Sequence, residues 1–215
     1  MEFSLTRYKN TNLNKCVDLL GDTWNFNRQF EELTRENLIN ILFFKFSIID
    51  SNYNQVIIDK DDNVHGFIFG KVSQKSHINI ETALRSVSTL LSGGYHYLSG
   101  HMGPRKKSGG IIREFLNIER DLTSRMNRDD AYVSLFFVGS SLRGSGYGTK
   151  LMNNFETSAS KSGCKRIYLW TDKGCNYGYY DHCGFKRVID VSSPVLEGYG
   201  EEPNGFAYIK PLQQK

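Results

Sequence analysis

The feature that constrains this chain most is a ten-residue turn, SLRGSGYGTK (Ser141–Lys150), set between two strongly patterned segments. Before it, AYVSLFFV (Ala131–Val138) reads as a strand. After it, Leu151, Met152, Phe155 and Ala159 form one apolar face of a helix that ends at Gly163. Strand, glycine turn and amphipathic helix in direct succession make a β–α unit, whose helix must pack back on a sheet. The turn holds three glycines, hydroxyl residues and two cations. Glycine lets backbone N–H groups come close to an anion, and a helix N-terminus adds a favourable dipole. The turn is therefore read as an anion cradle.

The rest of the chain extends this unit into a mixed α/β fold. EFSLTRY (residues 2–8) alternates as a strand. Asn12 or Asn14 caps a first helix reaching about Trp24, and Thr34 caps a second through Leu38, Ile41 and Ile48. Two strands around the turn KDDN, QVIID and VHGFIFGKV, read as a hairpin. Residues 74–128 change character. Ile80, Leu84, Val87 and Leu91 recur at helical spacing, as do Ile111, Phe115, Ile118, Leu122 and Met126, with the glycine-rich stretch SGGYHYLSGHMGPRKKSGG expected as the loop between them. This predicts a helical insertion between the third and fourth strands. KRIYLWTD, a short helix near Asn176–Cys183, FKRVIDV and GFAYIKPL complete the order β-α-α-β-β-insert-β-α-β-α-β-β, a mixed sheet with helices on both faces.

Composition removes several classes. With 215 residues and 39% apolar content the chain supports one domain over 1–215 with a sizeable core. Its net charge of +4 is scattered and argues for no nucleic-acid partner. The densest cationic run, PRKK (Pro104–Lys107), reads as a solvated loop. Cys16, Cys164, Cys175 and Cys183 show no C-x-x-C spacing, so neither a metal nor a redox motif is expected, and a reducing, cytoplasmic setting fits best. The N-terminal residues lack signal-peptide character, and the apolar stretch Leu38–Ile49 is too short and too interrupted to span a bilayer.

The glycine turn fails two familiar patterns. A P-loop needs lysine followed by Ser or Thr, whereas here Thr149 precedes Lys150. Gly144, Gly146 and Gly148 give G-x-G-x-G, one residue short of the dinucleotide fingerprint. What remains is R-x-x-G-x-G: Arg143, Gly146, Gly148. With this spacing VGSSLRGSGYGTKLM resembles the acyl-CoA-binding motif of the GNAT superfamily of N-acetyltransferases. Ser140 stands where many members have proline. A second segment, YYDHCGF (Tyr179–Phe185), is similar to the family's FYxxxGF, with Tyr180 at the tyrosine position and Gly184–Phe185 at the end. The resemblance runs from about Phe136 to Phe185 and does not cover residues 74–128.

The resemblance implies an acetyl-CoA-dependent N-acetyltransferase. It would move acetyl to a primary amine of a small molecule or peptide by direct attack in a ternary complex. The anion would be the CoA pyrophosphate, held by Arg143, Gly144, Ser145, Gly146, Tyr147, Gly148 and Thr149. Phe136, Phe137 and Val138 would pair with the pantetheine arm in the gap where the fourth and fifth strands splay, and a main-chain amide near Val138 would polarise the thioester. Tyr180 would protonate the leaving thiolate, while Tyr179 packs inward. No metal is implied. The alternative is a non-catalytic acyl-CoA sensor.

The general base stays open among Asp129, Asp130, Glu81 and a water chain. His96 and His101 either line an acceptor pocket or are loop residues. Cys175 heads a short helix, where a thiol can be activated, although an inert cysteine is the safer reading. His65 reads as structural. Two roles are open to the insertion: lining the acceptor site, or joining two copies in a homodimer.

Overall fold

The structure is a computed structural model. It describes residues 2–21, 24, 26–35, 37–72, 80–196, 200 and 203–213, and of residues 80–82 the backbone alone. In chain order the elements are β1 (Ser4–Thr6), α1 (Leu13–Gly21), α2 (Leu38–Ser47), β2 (Tyr53–Ile58), β3 (Val64–Lys71), α3 (Ile80–Leu98), α4 (Arg105–Leu122), β4 (Asp130–Val138), α5 (Tyr147–Lys161), β5 (Arg166–Asp172), α6 (Gly178–His182), β6 (Lys186–Val191) and β7 (Gly205–Pro211). The strands form one mixed sheet in the order β1-β2-β3-β4-β5-β7-β6. Among the described residues only β4 and β5 run parallel; the other pairings are antiparallel.

Two apolar layers sandwich this sheet. On one face Leu151, Met152, Phe155 and Ala159 of α5 bury against Ile68, Val133, Ile167 and Leu169, with Tyr180 and Phe185 extending the layer. On the other face Cys16, Val17 and Leu20 of α1 and Phe44 of α2 cover Val56, Phe67, Phe69, Leu135 and Phe137. Ile118 and Leu122 of α4 cover Tyr168 and Ala207 on that same face. The helix periods seen in the sequence supply these faces, since a stripe repeating every 3.6 residues has to meet the sheet to leave water.

The insertion differs from its expectation in one respect. Ser92-Gly93-Gly94 lies inside α3 and Ser108-Gly109-Gly110 inside α4, so the connection shrinks to residues 99–104. Glycine here serves close packing: a Cβ on Gly93 would meet the Phe46 ring at 2.8 Å, and one on Gly109 the Tyr97 hydroxyl at 2.7 Å. The cationic run forms the first turn of α4, with Lys107 paired to Glu31 at 2.6 Å. The second helix starts at Leu38 rather than after Thr34, whose N–H instead bonds His101 O. At its far end α4 is tied down by the buried Tyr168 hydroxyl, which donates to Leu122 O at 2.6 Å. The outer side of α3 leaves Leu84, Val87, Leu91 and Leu98 exposed along one stripe.

Candidate active site

The site begins with a register. β4 pairs with β5 only from Asp130 to Val133, opposite Arg166 to Leu169. Beyond that point β4 stays paired with β3 as far as Val138, and β5 stays paired with β7 as far as Asp172. The two strands have parted, and the β5-facing backbone edge of Ser134–Val138 has no strand partner among the described residues. The closed end is locked by Asp130, 2% exposed, which takes two hydrogen bonds from Arg166 at 2.8 and 2.6 Å. That partner raises the Arg166 pKa.

A bulge sits where the strands part. The β3 register jumps from Phe69↔Leu135 to Gly70↔Val133, so Ser134 is the extra residue of β4. It flips the alternation. Ala131 and Val133 face α5, as Phe136 and Val138 do again past the bulge, while Tyr132, Leu135 and Phe137 face the opposite side. Ser134 Oγ meets Ser51 Oγ at 3.1 Å.

Into this opening the glycine turn delivers the start of α5. Gly144 and Gly146 sit at φ 79° and 82°, in the left-handed region, and nothing lies within 4 Å of where their Cβ atoms would be. Their role is therefore to shape the backbone while leaving space in front of it. The first N–H groups of a helix lack intrahelical acceptors, and among the described residues no side chain caps α5. Those donors at Tyr147, Gly148 and Thr149 point out of the helix end. Arg143 turns back to Val138 O through Nε at 3.4 Å. The Ser145 hydroxyl bonds Leu142 O, and the Tyr147 ring packs on Phe3 at 5.7 Å.

The strand gap and helix end open into one cleft of about 420 Å³. Phe136, Phe137, Val138, Arg143, Gly144, Gly146, Gly148 and Thr149 line it, and Ser145 and Tyr147 stand outside that lining. Tyr180 and Tyr179 of α6 both line it. Tyr180 is 8% exposed, with ring contacts to Tyr179, Phe185 and Tyr208, and burial pushes its phenol well above the ordinary value, so it stays protonated. Tyr179 packs on the same apolar layer but is only half-buried: it lies against Phe136 at 5.6 Å and turns its hydroxyl toward Cys183 and Thr149. Cys175 also lines the cleft, but burial drives its pKa up, which makes it a thiol rather than a nucleophilic thiolate. A second hollow of about 370 Å³, between Gln29–Glu31 and the start of α4, contains none of the motif residues.

The acidic candidates resolve differently. Asp130 is committed to Arg166, and Asp129 pairs with Lys165 at 2.9 Å. The Glu81 side chain lies outside the described residues. His96 and His101 meet each other at 3.1 Å between their Nδ1 atoms, near the end of α3, away from the cleft lining. His65 bonds Asp59 at 2.9 Å, a half-buried tie within the β2–β3 hairpin. Sequence reading missed Glu119 of α4, whose Oε1 accepts a hydrogen bond from the Tyr132 hydroxyl at 3.3 Å. It also missed Trp24 and Trp170, which both line the cleft. The helical period of α4 shows its core face only, and nothing local to these residues marks a site.

Among the described residues no group of three or more His, Cys, Asp or Glu is placed to hold a metal, and no helix is long and apolar enough to cross a membrane.

The profile of the acetyltransferase (GNAT) family matches residues 13–185. Sequence comparison with curated proteins gave no match. Among solved structures, SsHAT aligns at 12% identity over 99% of this chain and 100% of its own, with a TM-score of 0.63. Arylalkylamine N-acetyltransferase 2 from Aedes aegypti aligns at 12% identity over 99% and 100%, TM-score 0.57. An aminoglycoside 6'-N-acetyltransferase complexed with coenzyme A aligns at 14% identity over 99% and 98%, TM-score 0.52. At these identities the likeness is one of fold.

Proposed function

Because this chain belongs to the GNAT acetyltransferase family and is an acetyl-transferring enzyme, we propose that it is an acetyl-CoA-dependent N-acetyltransferase acting on a primary amine of a small molecule or peptide, by direct attack in a ternary complex. The observation that carries this reading is the meeting of two features in one cleft: the unpaired edge of β4 and the uncapped N-terminus of α5.

Each suits one part of the donor. The pyrophosphate lies on the N–H groups from Arg143 to Thr149, with Arg143 beside it. The pantetheine amides add to the free edge of Phe136–Val138 as a short extra strand. A β4 amide between the Ser134 bulge and Val138 donates to the thioester oxygen as it becomes an oxyanion. The amine nitrogen attacks the carbonyl carbon, the C–S bond breaks, and Tyr180, held protonated by its burial, gives its proton to the departing thiolate.

The acceptors in the neighbours' names differ, an arylalkylamine in one and an aminoglycoside in another, so they do not choose among amines for this chain. The exposed Leu84, Val87, Leu91 and Leu98 stripe of α3 supports a homodimer, and four free cysteines suit a cytoplasmic setting. The test is acetyl-CoA binding by calorimetry followed by thiol release with an amine panel. Binding with amine-dependent release is expected. Binding without release on any amine would convert the protein into an acyl-CoA sensor.

A further inference from the structure

The face of the sheet opposite the glycine turn carries a second chemical environment next to the same cleft. Here β4 and β5 present Tyr132 and Trp170 side by side. Tyr132 donates its hydroxyl to Glu119, and the Trp170 indole faces the same hydroxyl while lining the cleft. One turn earlier on α4 than Glu119, and so on the same side of the helix, stands Phe115. It meets Phe26 at 5.7 Å and Phe43 at 6.4 Å, and these meet Trp24 at 6.2 and 6.5 Å. Trp24 also lines the cleft, and its buried Nε1 has no partner among the described residues. An aromatic wall therefore runs from the cleft to α4 and ends at a carboxylate.

That carboxylate is unneutralised. Neighbouring Asp50 is paired with Lys71 at 3.1 Å, whereas no lysine, arginine or histidine pairs with Glu119 among the described residues. The residue keeps solvent contact, yet protein crowding around its carboxyl, with Asp50 adding to it, pushes its pKa up against the lowering effect of the Tyr132 bond. A surface glutamate that only tied Tyr132 in place would need neither the aromatic wall nor the missing counter-ion.

From this arrangement we infer that Glu119, on the inserted helix, receives the acceptor's ammonium group and takes its proton, and that the acceptor is a primary amine on a flat or extended apolar body. The inference rests on the acetyl-transfer reading above. The ammonium is held by the carboxylate and by the faces of Trp170 and Tyr132. It gives one proton to Glu119, which returns it to solvent through its exposed side. The neutral amine then attacks; N–C forms, C–S breaks, the nitrogen loses its second proton to Glu119, and the thiolate is protonated by Tyr180, which recovers its proton from solvent. One ammonium and one thioester become one amide, one thiol and one released proton. The groups around Glu119 are Tyr132 on β4, Lys71 directly across from Tyr132 on β3, and Asp50 before β2, whose charge Lys71 takes up; a carboxyl raised by its surroundings loses its function as pH falls through that raised value.

The test compares 2-phenylethylamine, n-hexylamine and ethanolamine as acceptors by thiol release from acetyl-CoA. The first two are expected to exceed ethanolamine about tenfold in kcat/KM. Glu119→Gln is expected to lower kcat/KM roughly 100-fold and to flatten its acid limb, with unchanged acetyl-CoA binding and melting temperature; Glu119→Asp should recover part. Trp24 and Trp170 are the chain's two tryptophans, so intrinsic fluorescence reads the site directly. Adding 2-phenylethylamine without donor should change it in the wild type and not in Glu119→Gln. Wild-type turnover with an unaltered Glu119→Gln pH profile would overturn the role of Glu119 and leave acetyl transfer standing. Equal use of ethanolamine would overturn the acceptor class. Failure of every amine to release thiol, despite acetyl-CoA binding, would remove acetyl transfer and this inference together.

Discussion

On the α5 face of the sheet the cleft is lined mostly by one continuous stretch, Phe136 to Thr149, with α6 closing it. On the opposite face the lining comes from Trp24, Leu135 and Trp170, separated in sequence by up to about 150 residues, with Tyr132 and the inserted α4 standing behind Trp170. A local stretch fixes its own geometry through turn chemistry and helix ends, and the same polyphosphate needs the same cradle whatever the acceptor. The other face is assembled only by folding. Its composition can change without disturbing the cradle. In this chain the change takes the form of an entire helix pair.

The largest effect expected on either side tests the chemistry between them. Tyr180→Phe removes one hydroxyl from a well-packed ring. It should cut kcat about 10²- to 10⁴-fold with KM for acetyl-CoA little moved. Tyr179→Phe, which deletes a hydroxyl beside Cys183 and Thr149, should leave kcat within about threefold and move the melting temperature little. Steady-state kinetics on both variants decide the assignment. A larger kcat loss in Tyr179→Phe would transfer the acid role to the half-buried tyrosine.

Next comes the hinge on which the two faces part. Asp130 is buried against Arg166 at the closed end of the β4–β5 pair. Asp130→Asn leaves the guanidinium without its charge partner and should cost about 3 kcal/mol in urea unfolding. A cost under about 1 kcal/mol would mean that packing, rather than this ion pair, sets where the strands separate.

The donor face is then broken at its cradle. Gly146→Trp places a bulky side chain at φ 82° in space that is now empty. Acetyl-CoA binding should weaken roughly 100-fold, about 3 kcal/mol. Amine-induced tryptophan fluorescence would need correction for the added indole, so calorimetry is the measurement. Retained affinity would place the pyrophosphate elsewhere.

These sites were unequally legible in the sequence. The strand order and the glycine turn could be read because period and turn chemistry are local. The Asp130–Arg166 lock could not, because two charged residues at strand starts look solvated until the register sets them opposite each other. Glu119 was invisible for a similar reason. On α4 it reads as one more polar residue beyond the core stripe of Phe115, Ile118 and Leu122, and only the placement of α4 over β4 brings it to Tyr132. Ser134 shows why strand pattern alone misassigns faces: a bulge inverts the alternation halfway along β4.

The smallest effects separate the insertion from the sheet it covers. Its paired glycines were misread as a loop because glycine is a poor helix former, by about 0.5–1 kcal/mol against alanine. Within each pair the structure assigns different work. Gly93 and Gly109 face Phe46 and Tyr97 closely, whereas Gly94 and Gly110 face open space. Gly94→Ala and Gly110→Ala should therefore each stabilise the protein by about 0.5–1 kcal/mol, read as a shifted urea midpoint at constant slope. Gly93→Ala and Gly109→Ala should gain less or lose, since a ring and a hydroxyl must move. Equal gains in all four would show that the helix pair tolerates looser packing than the sheet. A loss at Gly94 would instead give its bare surface a contact, and because it lies on the exposed helix α3, a second copy of the chain is the partner to test by sedimentation.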